Sequence, residues 1–201
     1  MVGETASALA PARVRAILPI ERPARAASLR GGESPRWYMH DELFSLLHDL
    51  DGVRQSPRYH PEGDALFHSL QVFDLARRAT ADRVLWAAAL FHDVGKAVDG
   101  PLHDEVGADL LTGLLCPRAV WLVRHHLDLL EDARGARRRF RGVPAMRELE
   151  LLRRWDVGGR DPRARTLSLE EAFDHLFTGD ASFLDQDDDA GEGFDPFAVQ
   201  P

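Results

Sequence analysis

Eight consecutive apolar residues, Val84-Leu-Trp-Ala-Ala-Ala-Leu-Phe91, run directly into His92-Asp93. A run this short does not span a bilayer, which takes ~20 residues. A stretch apolar on every side reads instead as a buried helix. A fold built around it must place a histidine and a carboxylate at the buried end of a central helix. Burying that carboxylate is costly without a cation or hydrogen-bond donors. The alternative is an Asp93 that only caps the turn Val94-Gly95-Lys96.

The segments on either side have helical period. Residues 37–50 carry Leu43, Phe44, Leu46, Leu47 and Leu50 on one side, and residues 64–79 carry Leu66, Phe67, Leu70, Phe73 and Leu75. Further helices are expected over 83–92, 105–115, 118–130, 145–155 and 168–177, separated by Gly and Pro breakers. No segment alternates as a strand would, so the fold class is all-α. Residues 1–34, rich in Ala, Arg and Pro, read as a flexible extension, 35–178 as the folded domain and 179–201 as an acidic disordered tail. Phe183, Phe194 and Phe197 are unusual for a spacer and candidates for docking.

The net charge of −8 needs locating before it means anything. Seven acids and no base lie beyond Thr178, and five arginines oppose three acids in residues 1–34. The domain between them is close to neutral. Cys116 is the single cysteine, which excludes an internal disulfide and fits a reducing cytoplasm. The first residues have neither a basic segment nor an apolar core, so no signal peptide is expected.

Nine histidines are many for 201 residues, and their placement carries more than their number. His68 falls mid-helix, His92-Asp93 ends the buried run, His103 follows a loop, His125-His126 sits on a later helix and Asp156 closes the series. Imidazole and carboxylate form the ligand set of divalent transition metals, and the lack of further cysteines removes thiolate sites. His68 or His126 taken singly reads as a core residue more often than as a ligand, whereas His92-Asp93 stands apart. Lys96 is the only lysine against 24 arginines, and it stands three residues after Asp93. A compact ammonium there suits a phosphate oxygen or developing negative charge.

The ordered series His68 … His92-Asp93-Val-Gly-Lys96 … Asp156 resembles the HD superfamily of metal-dependent phosphohydrolases. Within it, Tyr59-His-Pro-Glu-Gly-Asp-Ala-Leu-Phe-His68, His103-Asp-Glu-Val-Gly-Ala108 and Trp155-Asp-Val-Gly-Gly-Arg160 look closest to the HD domain of bacterial CCA-adding tRNA nucleotidyltransferases. The likeness covers residues 58–160. Their nucleotidyltransferase head is not seen before residue 58, so a stand-alone HD protein is expected. The resemblance implies a compact helical bundle in which His68, His92, Asp93 and Asp156 hold a divalent ion. It implies that His103 and His126 supply a second ion or contact phosphate. His126 shares the inward side of Leu122 and Val123, which leaves His125 for substrate binding, although the two could be exchanged. One or two ions (Mn, Ni, Co, Fe, Zn or Mg) are implied, with a small phosphorylated substrate, a nucleotide first, RNA as a further partner, and no membrane.

The implied mechanism is hydrolysis of a phosphomonoester, nucleotide or 2′,3′-cyclic phosphodiester by metal-activated water, with Asp93 orienting the water and Lys96 steadying the phosphoryl oxygens. Arg160 is a candidate phosphate clamp or a surface arginine. Asp64 is a partner for His68 or an N-cap. His60 precedes His68 by eight residues, and His40, His48 and His175 read as surface or packing residues. The arginines of 134–141 either gather a nucleotide or RNA phosphate backbone beside the metal or form an exposed basic loop with modest phosphate affinity, and the loop is expected. Two other functions share the ligand pattern: an HD-fold diiron oxygenase and a nucleotide-binding module without turnover. No Gly-Tyr-Pro motif follows the late histidines, which argues against a cyclic dinucleotide phosphodiesterase.

Overall fold

The computed structural model describes residues 36–185. In chain order its elements are α1 (Arg36–His48), α2 (Ala65–Ala79), α3 (Arg83–Phe91), a 3₁₀ turn (Val94–Ala97), α4 (His103–Leu111), α5 (Pro117–His125), α6 (Asp128–Glu131), α7 (Ala133–Arg139), α8 (Ala145–Gly158) and α9 (Leu169–Phe177). Among the described residues there are only isolated bridges and no strand. The fold is all-α.

The apolar run is α3, and it is central. Asp82 caps it by accepting the amides of Val84 and Leu85, and its packing partners are α2, α5, α8 and α9. One side of α3 (Val84, Ala87, Leu90, Phe91) joins a core with Leu43, Leu47, Phe73, Leu111 and Phe173. Its other side (Leu85, Ala88, Ala89) joins a second core with Val72, Leu122, Leu149, Leu152 and Trp155. A helix that feeds two cores has no solvent face, which is why its sequence is apolar all round.

Several boundaries move. The helix expected over 105–115 starts at His103 and stops at Leu111, because Gly113 turns the chain with φ of 77°. The one expected over 118–130 ends at His125 and continues as the short α6. The arginine run is a helix rather than a loop. Asp132 caps α7 through the amide of Gly135 at 2.9 Å, Ala136 and the following Phe140 are buried, and arginine is itself a good helix former.

The expected boundary at 178 comes too early. Phe183 and Leu184 are buried, the carbonyl of Phe183 accepts the amide of Cys116 at 2.8 Å, and the amide of Asp185 bonds to Leu114. Phe183 also meets the ring of Phe177 edge-on. Docking of this one phenylalanine carries the domain to at least residue 185. The expectations for 1–34, and for Phe194 and Phe197 in the rest of the tail, lie outside the described residues. His40 is a packing residue, edge-on to Phe173 and Phe177.

Gly95 sets how closely the 3₁₀ turn approaches α4. A Cβ there would collide with the His103 carbonyl oxygen and stand 2.7 Å from the Gly107 amide. Both are backbone, so neither yields cheaply. Gly95→Ala is expected to cost about 2–3 kcal/mol, at the upper end of overpacking penalties, read as a lowered denaturation midpoint.

Candidate metal centre

Five elements converge their polar residues on one point. α2 supplies His68, the end of α3 gives His92 and Asp93, α4 opens with His103, α5 is capped by His126, and α8 brings Asp156. All six are buried, His68 completely. Six polar side chains in an apolar interior demand a common explanation.

The ring orientations supply it. His92 Nδ1 donates to the Ala89 carbonyl at 2.9 Å, His103 Nδ1 to Gly100 at 2.7 Å and His126 Nδ1 to Val123 at 2.6 Å. His68 Nδ1 stands between the Gly159 carbonyl at 3.0 Å and Glu62 Oε1 at 2.8 Å. A carbonyl oxygen only accepts, so each Nδ1 carries the proton. In a neutral ring that leaves the Nε2 lone pair free. The Nε2 atoms of His68, His92 and His126 are buried without a hydrogen bond. A cation among them would satisfy all three.

Asp93 lies between two groups of these atoms. Its Oδ2 is 3.4 Å from His92 Nε2 and 3.8 Å from His68 Nε2. Its Oδ1 is 3.2 Å from His103 Nε2 and 3.7 Å from His126 Nε2. Asp156 Oδ1 adds a contact of 3.1 Å to His68 Nε2. His68, His92 and Asp156 form one triad whose ligand atoms lie within 4.8 Å of each other, and Asp93, His103 and His126 form another. The donor set suits divalent metal, and Asp93 reaches the ligand atoms of both groups.

The electrostatics agree with a cation-ready site. Burial pushes Asp93 up, but His92, Lys96, His103 and His68 together hold it well below the usual carboxylate range. Burial drives His92 down to about 3, so it is neutral and able to ligate; His126 is lowered for the same reason. His68 is the exception. Burial lowers it, yet Asp156 and Glu62 outweigh that and raise it to about 9. Without metal a proton on His68 balances these carboxylates, and a divalent cation competes for its place.

Residues 66–174 match the family described as HD domain, more than half of the chain and a stretch that holds all six of these residues. The chain belongs to the HD domain family. That superfamily consists of metal-dependent phosphohydrolases. The chain is 43% identical over 83 residues to the Multifunctional CCA protein of Methylococcus capsulatus, covering 38% of this chain and 19% of that protein. Its likeness to the Multifunctional CCA protein of Xanthomonas oryzae pv. oryzae is 32% over 153 residues, covering 64% and 34%. This HD domain thus spans between a fifth and a third of those relatives.

Around the centre of this HD domain the structure places the remaining candidates. Lys96 Nζ donates to Asp93 Oδ2 at 2.6 Å and to Gln55 Oε1 at 2.5 Å. Arg160 is a strut rather than an open clamp: its Nη2 lies 3.0 and 3.2 Å from the two Asp156 oxygens, and Nη1 reaches the Tyr59 carbonyl at 3.1 Å. Both line a cavity of about 400 Å³ above the centre, with Gln55, Tyr59, His60 and Leu130.

His125, expected at the substrate, stands outside this cavity. Its Nδ1 pairs with Asp128 Oδ2 at 2.8 Å, its ring packs on Trp121 and Phe140, and it does not line the cavity. Adjacent helical residues point about 100° apart, and His126 took the inward direction.

Glu62 and Gln55 escaped the sequence reading. The loop before α2 folds back on itself, with Gln55 bonded to Gly63, Ala65 bonded to Val53, and Gly63 at φ of 80°. Asp64 holds that loop and caps α2 through the amides of Gly52 and Phe67, so it is an N-cap and not the partner of His68. The partner is Glu62, whose Oε1 also accepts from His60 Nδ1 at 2.8 Å. Its only signal in the sequence was lying six residues before His68. Glu62→Ala is expected to weaken metal binding by about 10- to 100-fold, measured by titration of the metal-free protein with Mn²⁺.

Proposed function

We propose that this HD domain hydrolyses a small phosphate ester, a phosphomonoester, nucleotide or 2′,3′-cyclic phosphodiester, with two divalent ions. The observation that carries the reading is the shared carboxylate: Asp93 faces one triad with each oxygen, at the floor of a cavity that also exposes Lys96. His68, His92 and Asp156 would hold one ion and His103 and His126 the other, with Asp93 common to both. Such ions, when bound, acidify water and polarise a phosphoryl oxygen.

The chain's own residues do the rest. Asp93 stays ionised at working pH, so it acts as the acceptor that orients the attacking water. Lys96 reaches Asp93 from the cavity side and offers its ammonium to the phosphoryl oxygens as charge builds. Arg160 fixes both Asp156 oxygens. Tyr59, Leu127 and Leu130 give the rest of the substrate an apolar wall. A cavity of about 400 Å³ suits a mononucleotide, the substrate that the resemblance to CCA-adding nucleotidyltransferases also implies.

The test is a screen of Mn²⁺-, Co²⁺-, Ni²⁺- and Mg²⁺-loaded protein against phosphomonoesters, nucleotides and cyclic nucleotides, with phosphate release as readout. Lys96→Met is expected to lower kcat by about 100-fold, as loss of one oriented charge does, while metal content stays near that of the unaltered protein. The six donors also fit two irons. An iron-loaded protein with a mixed-valence EPR signal and no hydrolysis of any ester would favour an oxygenase instead.

A further inference from the structure

The net charge of −8 conceals a sharp division. Residues 133–154, which cover α7, the following turn and most of α8, hold eight arginines and two glutamates, a net +6. All other residues together carry −14. The two glutamates neutralise little of this face. Glu148 is taken by Arg118 from α5, at 2.6 and 3.0 Å. Glu150 meets Arg137 at 3.3 Å in an exposed pair, and such pairs contribute little. Arg139 turns to Asp128 at 2.7 Å and lies over Phe140. Arg134, Arg138, Arg141, Arg147 and Arg154 are exposed and form no ion pair among the described residues.

Between the two helices lies a cleft of about 440 Å³ lined by Arg137, Glu150, Arg153, Arg154 and Val157. Arg153 Nη1 is buried with no hydrogen-bond acceptor. A guanidinium nitrogen left in that state is costly, and an anionic oxygen in the cleft would complete it.

We propose that the α7–α8 face binds the phosphodiester backbone of a nucleic acid. Every cation on it is an arginine, whose planar fork matches phosphate oxygens in pairs. The charges are strung along two helices instead of converging on a point: Arg134, Arg138 and Arg141 on successive turns of α7 and beyond, Arg147 and Arg154 about 10 Å apart along α8. That spread fits a row of phosphates. Phe140, the one aromatic residue of this segment, is buried, so the face offers no platform for base stacking and binding is independent of sequence. It also lacks the apolar row that a helix lying in a membrane needs. α8 ends at the metal centre with Asp156, so a strand on this face follows a helix that leads to the cavity.

Fluorescence anisotropy of a labelled mixed-sequence RNA of about 12 nucleotides, titrated with the full chain at several salt concentrations, tests this. Four phosphate contacts give a log–log salt slope of about −3. Arg137→Glu with Arg154→Glu, both exposed, is expected to weaken binding by at least about tenfold and to flatten the slope by about 1.4. The corresponding lysine pair keeps the slope. Arg134→Glu with Arg138→Glu repeats the test on α7 alone, should the first pair lower the melting temperature. Hydrolysis of p-nitrophenyl phosphate is expected unchanged in all of them. Should phosphate release from every ester of the panel above be missing from the unaltered protein while RNA still binds, the phosphohydrolase reading falls and this one stands. No anisotropy change at low salt would overturn the proposal, as would binding indifferent to both charge reversals. Binding to phosphatidylglycerol vesicles but not to the oligonucleotide would overturn it too, assigning the face to a membrane.

Discussion

Replacing Asp93 by alanine is expected to lower phosphate release by roughly a thousandfold or more, because both proposed ion sites would lose a ligand with it. Three distances make this residue special. Its Oδ2 faces His92 Nε2 at 3.4 Å and Lys96 Nζ at 2.6 Å, while its Oδ1 faces His103 Nε2 at 3.2 Å. No other carboxylate in the centre touches both triads, since Asp156 contacts only His68 among the histidines. Alanine would therefore remove a ligand from each site at once and leave the Lys96 ammonium without its partner. Asp93→Asn separates loss of charge from loss of shape. It retains the size of the side chain, so a folded Asp93→Asn protein with little bound metal places the effect in coordination. Metal content and phosphate release, measured on the same preparations, check both variants.

The second large effect concerns stability. Six buried polar side chains surround the centre, and three of their ring nitrogens have no hydrogen bond in the protein itself. Ions that bind the folded chain and not the unfolded one stabilise it by about 2.7 kcal/mol when present at a hundred times their dissociation constant. For a domain of this size each kcal/mol moves the midpoint by about 2–4 °C. Chelation is thus expected to lower the melting temperature by about 5–10 °C per site, and added Mn²⁺ to restore it. A melting curve indifferent to chelator and metal alike would mean that the two triads are held by the protein's own charges.

Much of this centre was legible in the sequence because the chemistry broke a local rule. Asp93 follows an apolar run in which no charge belongs without a partner, and Lys96 is the only lysine in an arginine-committed chain. Those two residues point to the site before any relative is consulted. His68, His103, His126 and Asp156 are different, since each taken singly reads as a packing residue, and only the ordered pattern of the superfamily joins them. The helices were legible for an ordinary reason, the period of their apolar residues.

What stayed hidden depends on contacts that periodicity does not encode. Glu62 and Gln55 reach the centre because the loop before α2 folds back on itself, an arrangement set by the Gly63 turn and the two bonds of Asp64. The arginines after α6 read as a loop because their charge masked a buried side made by Ala136 and Phe140. Phe183 sits in an acidic stretch read as a tail; its phenylalanines stood out as candidates for docking, but no pattern said that Phe183 would pack beside Phe177. That His126 and not His125 lines the cavity stayed hidden too, because adjacency in sequence says nothing about which of two neighbours faces inward.

The central claim is that one carboxylate, shared by two ion sites, drives hydrolysis of a phosphate ester. It is met most directly by adding Mn²⁺ stepwise to metal-free protein while bound metal and phosphate release from a nucleotide panel are followed together. The account predicts that release appears as the ions bind, saturates when both triads are filled, and is absent from Asp93→Ala at every loading. Full loading without phosphate release from any ester, or release that is indifferent to Asp93, would contradict it.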